Sequence, residues 1–151
     1  MQNQNISDFN GAISFIHPAA ARNTGSYVGD AIDASLYPRI LARLLIGTLA
    51  GTGTAKMKFQ HCSVSASSAA AWADVDSASC VTSLFASTSN SKLGQLELKA
   101  DQYSNLQRYI RPYVEIATSN GWVGAVICEG HPLHRPAVDL DHADVVQTVV
   151  Y

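Results

Sequence analysis

The sequence predicts an all-β fold, an antiparallel sandwich or barrel. Two observations carry this. Apolar residues recur with period two in several short segments, and Gly, Pro, Asn and Ser clusters punctuate them. No long stretch keeps a helical period of 3.6, and no internal repeat points to a solenoid.

The elements follow in chain order. Residues 12–17 read as a short strand stopped by Pro18. Residues 26–34 read as a strand, a turn at Gly29-Asp30 and a second strand. After Pro38 comes the most apolar segment. Ile40, Leu41, Leu44 and Leu45 fit a helix there, but Ile40, Ala42, Leu44 and Ile46 also alternate with the residues between them. The glycine- and threonine-rich run 47–54 follows at once, so a strand leading into a hairpin loop is the better reading. In the next segment Lys56, Lys58 and Gln60 share one face, with Met57, Phe59 and His61 on the other.

Residues 63–79 are small and polar around Trp72, and their serine content argues against a long helix. Short strands are expected at 81–85 and around Leu96 and Leu98, with a turn at 101–105. Residues 108–117 form a long strand, in which Pro112 lacks a ladder donor and so marks an edge or a bulge. Asn120-Gly121 is the strongest turn signal in the chain, and 108–128 is read as a β-hairpin. Residues 145–151 read as a final strand.

Composition bounds the function. The 151 residues suit one domain. They are 47% apolar but only 15% charged, against about 25% in a typical soluble domain. The net charge of −2 and a pI near 6.2 argue against a nucleic-acid partner. No apolar run is long enough to span a membrane, and no secretory signal is visible. Cys62, Cys80 and Cys128 are an odd set without a C-x-x-C pair, which suits buried reduced thiols made in a cytoplasm; one Cys62–Cys80 disulfide is the alternative.

Catalytic signatures are weak. The run 47–54 lacks the Lys-Ser/Thr ending of a phosphate-binding loop, and no G-x-S-x-G elbow exists. His131, His134 and His142 lie near Asp139, Asp141 and Asp144, residue types that bind divalent metals, but their spacing matches no standard signature. His61 is expected as a satisfied core histidine and His17 as a strand-end residue. Cys128 reads as a buried strand cysteine. Trp72 and Trp122 read as core anchors or interface residues. Neither catalytic residues nor a cofactor is expected.

Four segments carry a family resemblance. They are Lys56-Met-Lys-Phe-Gln-His, Trp72-Ala-Asp-Val, Gln107-Arg-Tyr-Ile-Arg-Pro-Tyr-Val, and Gly124-Ala-Val-Ile-Cys-Glu-Gly-His-Pro-Leu-His-Arg-Pro. Over residues 39–136 the chain resembles small tailed-bacteriophage virion proteins of the head-decoration, or cement, type. The resemblance implies a single-domain antiparallel β-sandwich, jelly-roll-like, with an extended N-terminal arm and C-terminal tail. Residues 1–20 would hold the arm and first strand, and 21–151 the sandwich, with 131–151 as an extended end. It also implies a non-enzymatic role: binding the outer capsid lattice in the virion, after assembly in the host cytoplasm, and bridging neighbouring major capsid subunits. The protein would act as a homo-oligomer, a trimer being favoured, with no nucleic-acid or membrane partner. Partner-binding residues are expected at Asn5, Ile6, Phe9 and Phe15 at one end and at His131, His134 and Arg135 at the other. Three other readings stand beside it: a phage neck or tail component, a small metal-dependent enzyme using His131, His134 and His142, and a glycan-binding module stacking sugar on Trp72 or tyrosines.

Overall fold

A computed structural model describes residues 11–18, 22–64, 72–75, 85–86, 91–118 and 123–131. Those residues form β1 (Gly11–Ile16), β2 (Gly25–Val28), β3 (Ile32–Asp33), β4 (Arg39–Thr48), β5 (Thr54–Cys62), β6 (Ala73–Asp74), β7 (Phe85–Ala86), β8 (Lys92–Lys99), β9 (Tyr109–Ala117) and β10 (Val123–His131). A single 3-10 turn, Ala100–Gln102, follows β8. The expected arm residues Asn5, Ile6 and Phe9, the tail residues His134, Arg135 and His142, Trp122, Cys80 and the strand at 145–151 lie outside the described residues.

Period-two patterning selects the buried faces. Ile40, Ala42, Leu44 and Ile46 of β4 point inward, as do Ala55, Met57 and Phe59 of β5, Ile110, Val114 and Ile116 of β9, and Val126 and Cys128 of β10. Each larger aliphatic side chain so buried contributes about 1.5–3 kcal/mol. Tyr37, which follows β3, joins this core at 2% exposure.

The first sheet has the order β1-β10-β4-β8 and the second β2-β9-β5-β6, every pair antiparallel. β3 continues beside β2 along β9, and β7 lies beside β5 at the end away from β6. Counting each of these couples as one interrupted strand, both sheets are four strands wide. The chain then changes sheet at every step except β5 to β6. Two packed antiparallel sheets with this order are a jelly-roll sandwich, as the resemblance implied.

Strand pairing corrects the hairpin at 108–128. β9 and β10 occur close to where they were expected, but they do not pair: β9 bonds to β2, β3 and β5, and β10 to β1 and β4. The expected hairpin across 47–54 fails in the same way, because β4 and β5 also belong to different sheets. In a hairpin, two strands lie side by side, each with its apolar face still open. As arches between sheets, β4 faces β5 and β9 faces β10, and the apolar faces cover one another. The strand ends at these connections are neighbours, with Thr48 opposite Val123 and Thr54 opposite Ala117. A turn signal reports local backbone conformation but not which strand lies beside which.

Pro112 illustrates a related point. β9 is an interior strand, so the proline is not at an edge, and the irregularity falls on its neighbour. Gly29 N–H donates to the Pro112 carbonyl at 3.1 Å. In an extended strand, N and C=O of one residue point to the same side, so the missing donor faces the gap between β2 and β3. Gly29 fits there because a Cβ would lie 2.6 Å from Ser14 Oγ and 2.7 Å from Pro112 Cγ. At the opposite edge Phe85 of β7 crosses to the first sheet, where its ring occupies the space a Cβ on Gly94 would need, at 2.6 Å. Cys62 and Cys128 are buried free thiols, and burial pushes the Cys128 pKa far up, so it stays protonated.

Candidate functional site

The two expected partner-binding residues within the described region, Phe15 and His131, lie on one surface: the outer face of the first sheet. Residues directly opposite each other in an antiparallel sheet share a face, so register builds that surface row by row. Leu93, Leu45 and Ala125 form the first row. Gln95, Arg43, Ile127 and Phe15 form the second, and Glu97, Leu41, Glu129 and Ala12 the third. Lys99, Arg39 and His131 close the far end.

This face is graded. At the arch end Leu93 is 53% exposed and Leu45 42%, and they border a shallow, mainly apolar groove of about 500 Å³ with Pro18 and Ala125 on its walls. Phe15 and Ile127 are half-buried beside them, and the Phe15 ring stacks with His17 at a centroid separation of 6.1 Å. At the other end the face is charged. Arg43 Nη1 donates to Glu129 Oε1 at 2.8 Å, and a depression of about 290 Å³ lies among Arg39, Glu97, Glu129 and His131.

The outer face of the second sheet is built differently. Arg111 donates twice to Gln60 Oε1, at 3.1 and 2.8 Å, and its guanidinium lies 4.2 Å from the Trp72 ring centroid. Gln60 Nε2 donates to Asp74 Oδ1 at 3.1 Å, and Lys58 Nζ to Asp74 Oδ2 at 2.6 Å. The same ammonium stands 4.6 Å from the Tyr113 ring centroid, and Tyr113 OH shares a hydrogen bond with Ser26. Burial penalises the Asp74 carboxylate, but the bonds from Lys58 and Gln60 outweigh this and hold its pKa below the ordinary value. Desolvation likewise lowers the Arg111 pKa. Trp72 Nε1 is buried without a hydrogen-bond partner among the described residues.

Two expectations change here. Trp72 is not a core anchor: it is only partly buried, outside the core cluster, and its ring stacks with the Arg111 guanidinium. His61 is half-buried rather than a core residue. It points inward opposite Ile110, but at the end of β5 the sandwich opens, and its Nδ1 accepts the Gln107 N–H at 3.2 Å. His17 is the exposed strand-end residue expected. Of the three histidines of the metal reading, only His131 is described, and no group of three or more His, Cys, Asp or Glu side chains suited to a metal exists among the described residues. Nor, among those residues, is any helix long and apolar enough to cross a membrane.

Leu45 and Leu93 were not singled out as site residues by sequence. Their signal was present: each occupies the solvent phase of an alternating strand, where Arg39, Arg43, Gln95 and Glu97 also sit.

No protein-family model and no curated protein matches the chain. Among solved structures it is similar to the X-ray structure of a non-crystalline cellulose specific carbohydrate-binding module, CBM28, with 9% identity, a TM-score of 0.42, and 74% of this chain and 72% of that one covered.

Proposed function

We propose that the chain is a non-enzymatic structural protein of a tailed-phage virion, which binds the outer capsid lattice and stabilises the head by bridging neighbouring major capsid subunits. The observation that carries this reading is the graded outer face of the first sheet. Exposed leucines in adjacent strands form a contiguous apolar row rather than isolated residues, and such rows mark interaction surfaces. A charged margin beside an apolar centre is the usual anatomy of a protein interface. The low charge of the chain and its jelly-roll sandwich, an architecture used by capsid and lectin domains, agree with the family resemblance. A symmetric oligomer, a trimer in the favoured arrangement, engages several subunits at once and gains affinity by effective concentration. Binding only to assembled shells stabilises them by mass action.

The test is co-sedimentation of the purified chain with heads assembled from the major capsid protein encoded with it. Wild-type protein is expected to saturate heads and to ignore unassembled subunits. Leu45→Glu combined with Leu93→Glu is expected to abolish saturation with an unchanged melting temperature. Equal binding by this double variant would remove the first sheet's face from the reading. Absence of wild-type binding would remove the capsid role itself.

A further inference from the structure

At the end of the sandwich away from the arches, the β8–β9 connection and β6 line a third pocket, of about 460 Å³. Small-molecule sites span roughly 300–1,000 Å³, so this one has room for a sugar unit. Its floor is apolar, made by Val75 and Leu106, both packed on the core. Its walls carry His61, Asp74, Gln102, Tyr103, Ser104 and Asn105. The walls are fixed in place: Val75 N–H donates to the Phe59 carbonyl at 3.0 Å, Leu106 N–H to the Tyr103 carbonyl at 3.2 Å, and Gln107 N–H to His61 Nδ1 at 3.2 Å.

The lining selects a ligand class. Because His61 Nδ1 accepts a bond, the neutral ring carries its proton on Nε2 and has that N–H to give. Two primary amides and a serine hydroxyl both donate and accept. Asp74 is the sole acidic residue on the wall, and both its oxygens already accept a bond from the outer face, Oδ1 from Gln60 and Oδ2 from Lys58. Its oxygens keep further lone pairs for hydroxyl donors. An anion would meet this carboxylate, and a metal ion would find one carboxylate already paired. A neutral molecule with several adjacent hydroxyls meets a donor or acceptor at each wall and an apolar floor beneath its C–H face.

We infer that this end pocket binds a neutral sugar unit, whether free or within a glycan, with His61, Asp74, Gln102, Ser104 and Asn105 as its hydrogen-bonding wall. The inference is independent of the capsid reading, since the pocket lies away from the outer face of the first sheet.

The experiment is an NMR titration of the 15N-labelled full chain with maltose, cellobiose and lactose, and separately with soluble glucan and galactan fragments. Saturable shifts confined to residues 102–107 and the His61 ring are expected for at least one sugar. Asn105→Ala and Gln102→Ala, both on the exposed connection, should each weaken binding about tenfold, the scale of one lost hydrogen bond. Saturation by the fragments alone assigns the site to a polymer, and saturation by the disaccharides assigns it to the free sugar. The Leu45→Glu and Leu93→Glu chain should bind as wild type. No saturable shift at the solubility limit of every sugar would overturn the inference, as would equal shifts with glycerol or with inorganic phosphate.

Discussion

The two outer faces of this sandwich are made from the same period-two strands, yet they end differently. On the second sheet, Lys58, Gln60, Asp74, Arg111, Trp72 and Tyr113 bond or stack with one another until nearly every polar group has a partner within the chain. Its one exposed large aliphatic residue in the described strands, Val28, stands alone. On the first sheet, one ion pair among the described residues serves the charged end, and the leucines of the opposite end face solvent. A face that satisfies its own groups contributes to folding. A face that leaves apolar groups uncovered can contribute to association.

The largest effect should come from unpicking the second face. Arg111→Ala leaves the buried Gln60 carbonyl oxygen without its two donors and uncovers Trp72. It is expected to cost about 2 kcal/mol in chemical denaturation. Arg111→Lys should recover only part of this, because an ammonium cannot form the two-pronged bond. A loss no greater than that of an ordinary surface substitution would mean that the network is ornamental and the contrast false.

Acid should erode the second sheet's side of the molecule in two steps. Burial holds the His61 pKa below the ordinary 6.5, with Asp74's charge opposing. The unfolded ring therefore takes up its proton first. The His61 contribution is whole above 6.5 and fades as pH falls through the lowered folded value. Asp74, depressed below 3.8, keeps its contribution above that pH and loses it as pH falls through its own lowered value. Melting temperatures from pH 8 to about 2 should show both declines, and His61→Gln should flatten the first.

On the first face, removing the charge should matter little. Arg43 and Glu129 are 38% and 22% exposed, and exposed ion pairs contribute roughly 0–1 kcal/mol. Glu129→Gln should shift stability by no more than about 0.5 kcal/mol. No larger is the folding effect of Leu45→Ser with Leu93→Ser, within about 0.5 kcal/mol. The same pair should shorten retention on a hydrophobic-interaction column. Unchanged retention would show that the row is not an accessible apolar surface.

Most strands were legible because alternation is local. Ile40, Ala42, Leu44 and Ile46 announce a buried face whatever lies beside them. Pairing was not legible. Asn120-Gly121 and the glycines of 47–54 encode bends, and a bend suits a hairpin or an arch equally. Pro112 reads in sequence as the mark of an edge or a bulge, but the missing donor is absorbed by a break in the neighbouring strand. His61 shows the same limit: its phase was right, but phase does not tell where a sandwich opens. The apolar row was half visible, since Leu45 and Leu93 break the polar phase of their strands. That they are neighbours depends on β4 pairing with β8, a long-range fact.

The position of β10 has a consequence for the order in which the molecule can be built. Gly11 pairs with Gly130, and the strand that joins β1 to β4 is the last of those described. During synthesis β1 and β4 emerge early, each with an open hydrogen-bonding edge, and wait for their common neighbour. Open edges recruit other strands, and topologies dominated by distant pairings fold in milliseconds to seconds rather than microseconds. The vulnerable interval in the life of this protein is therefore the time before β10 leaves the ribosome. A nascent chain halted before Val123 should be aggregation-prone, and one halted well beyond His131 should resist protease.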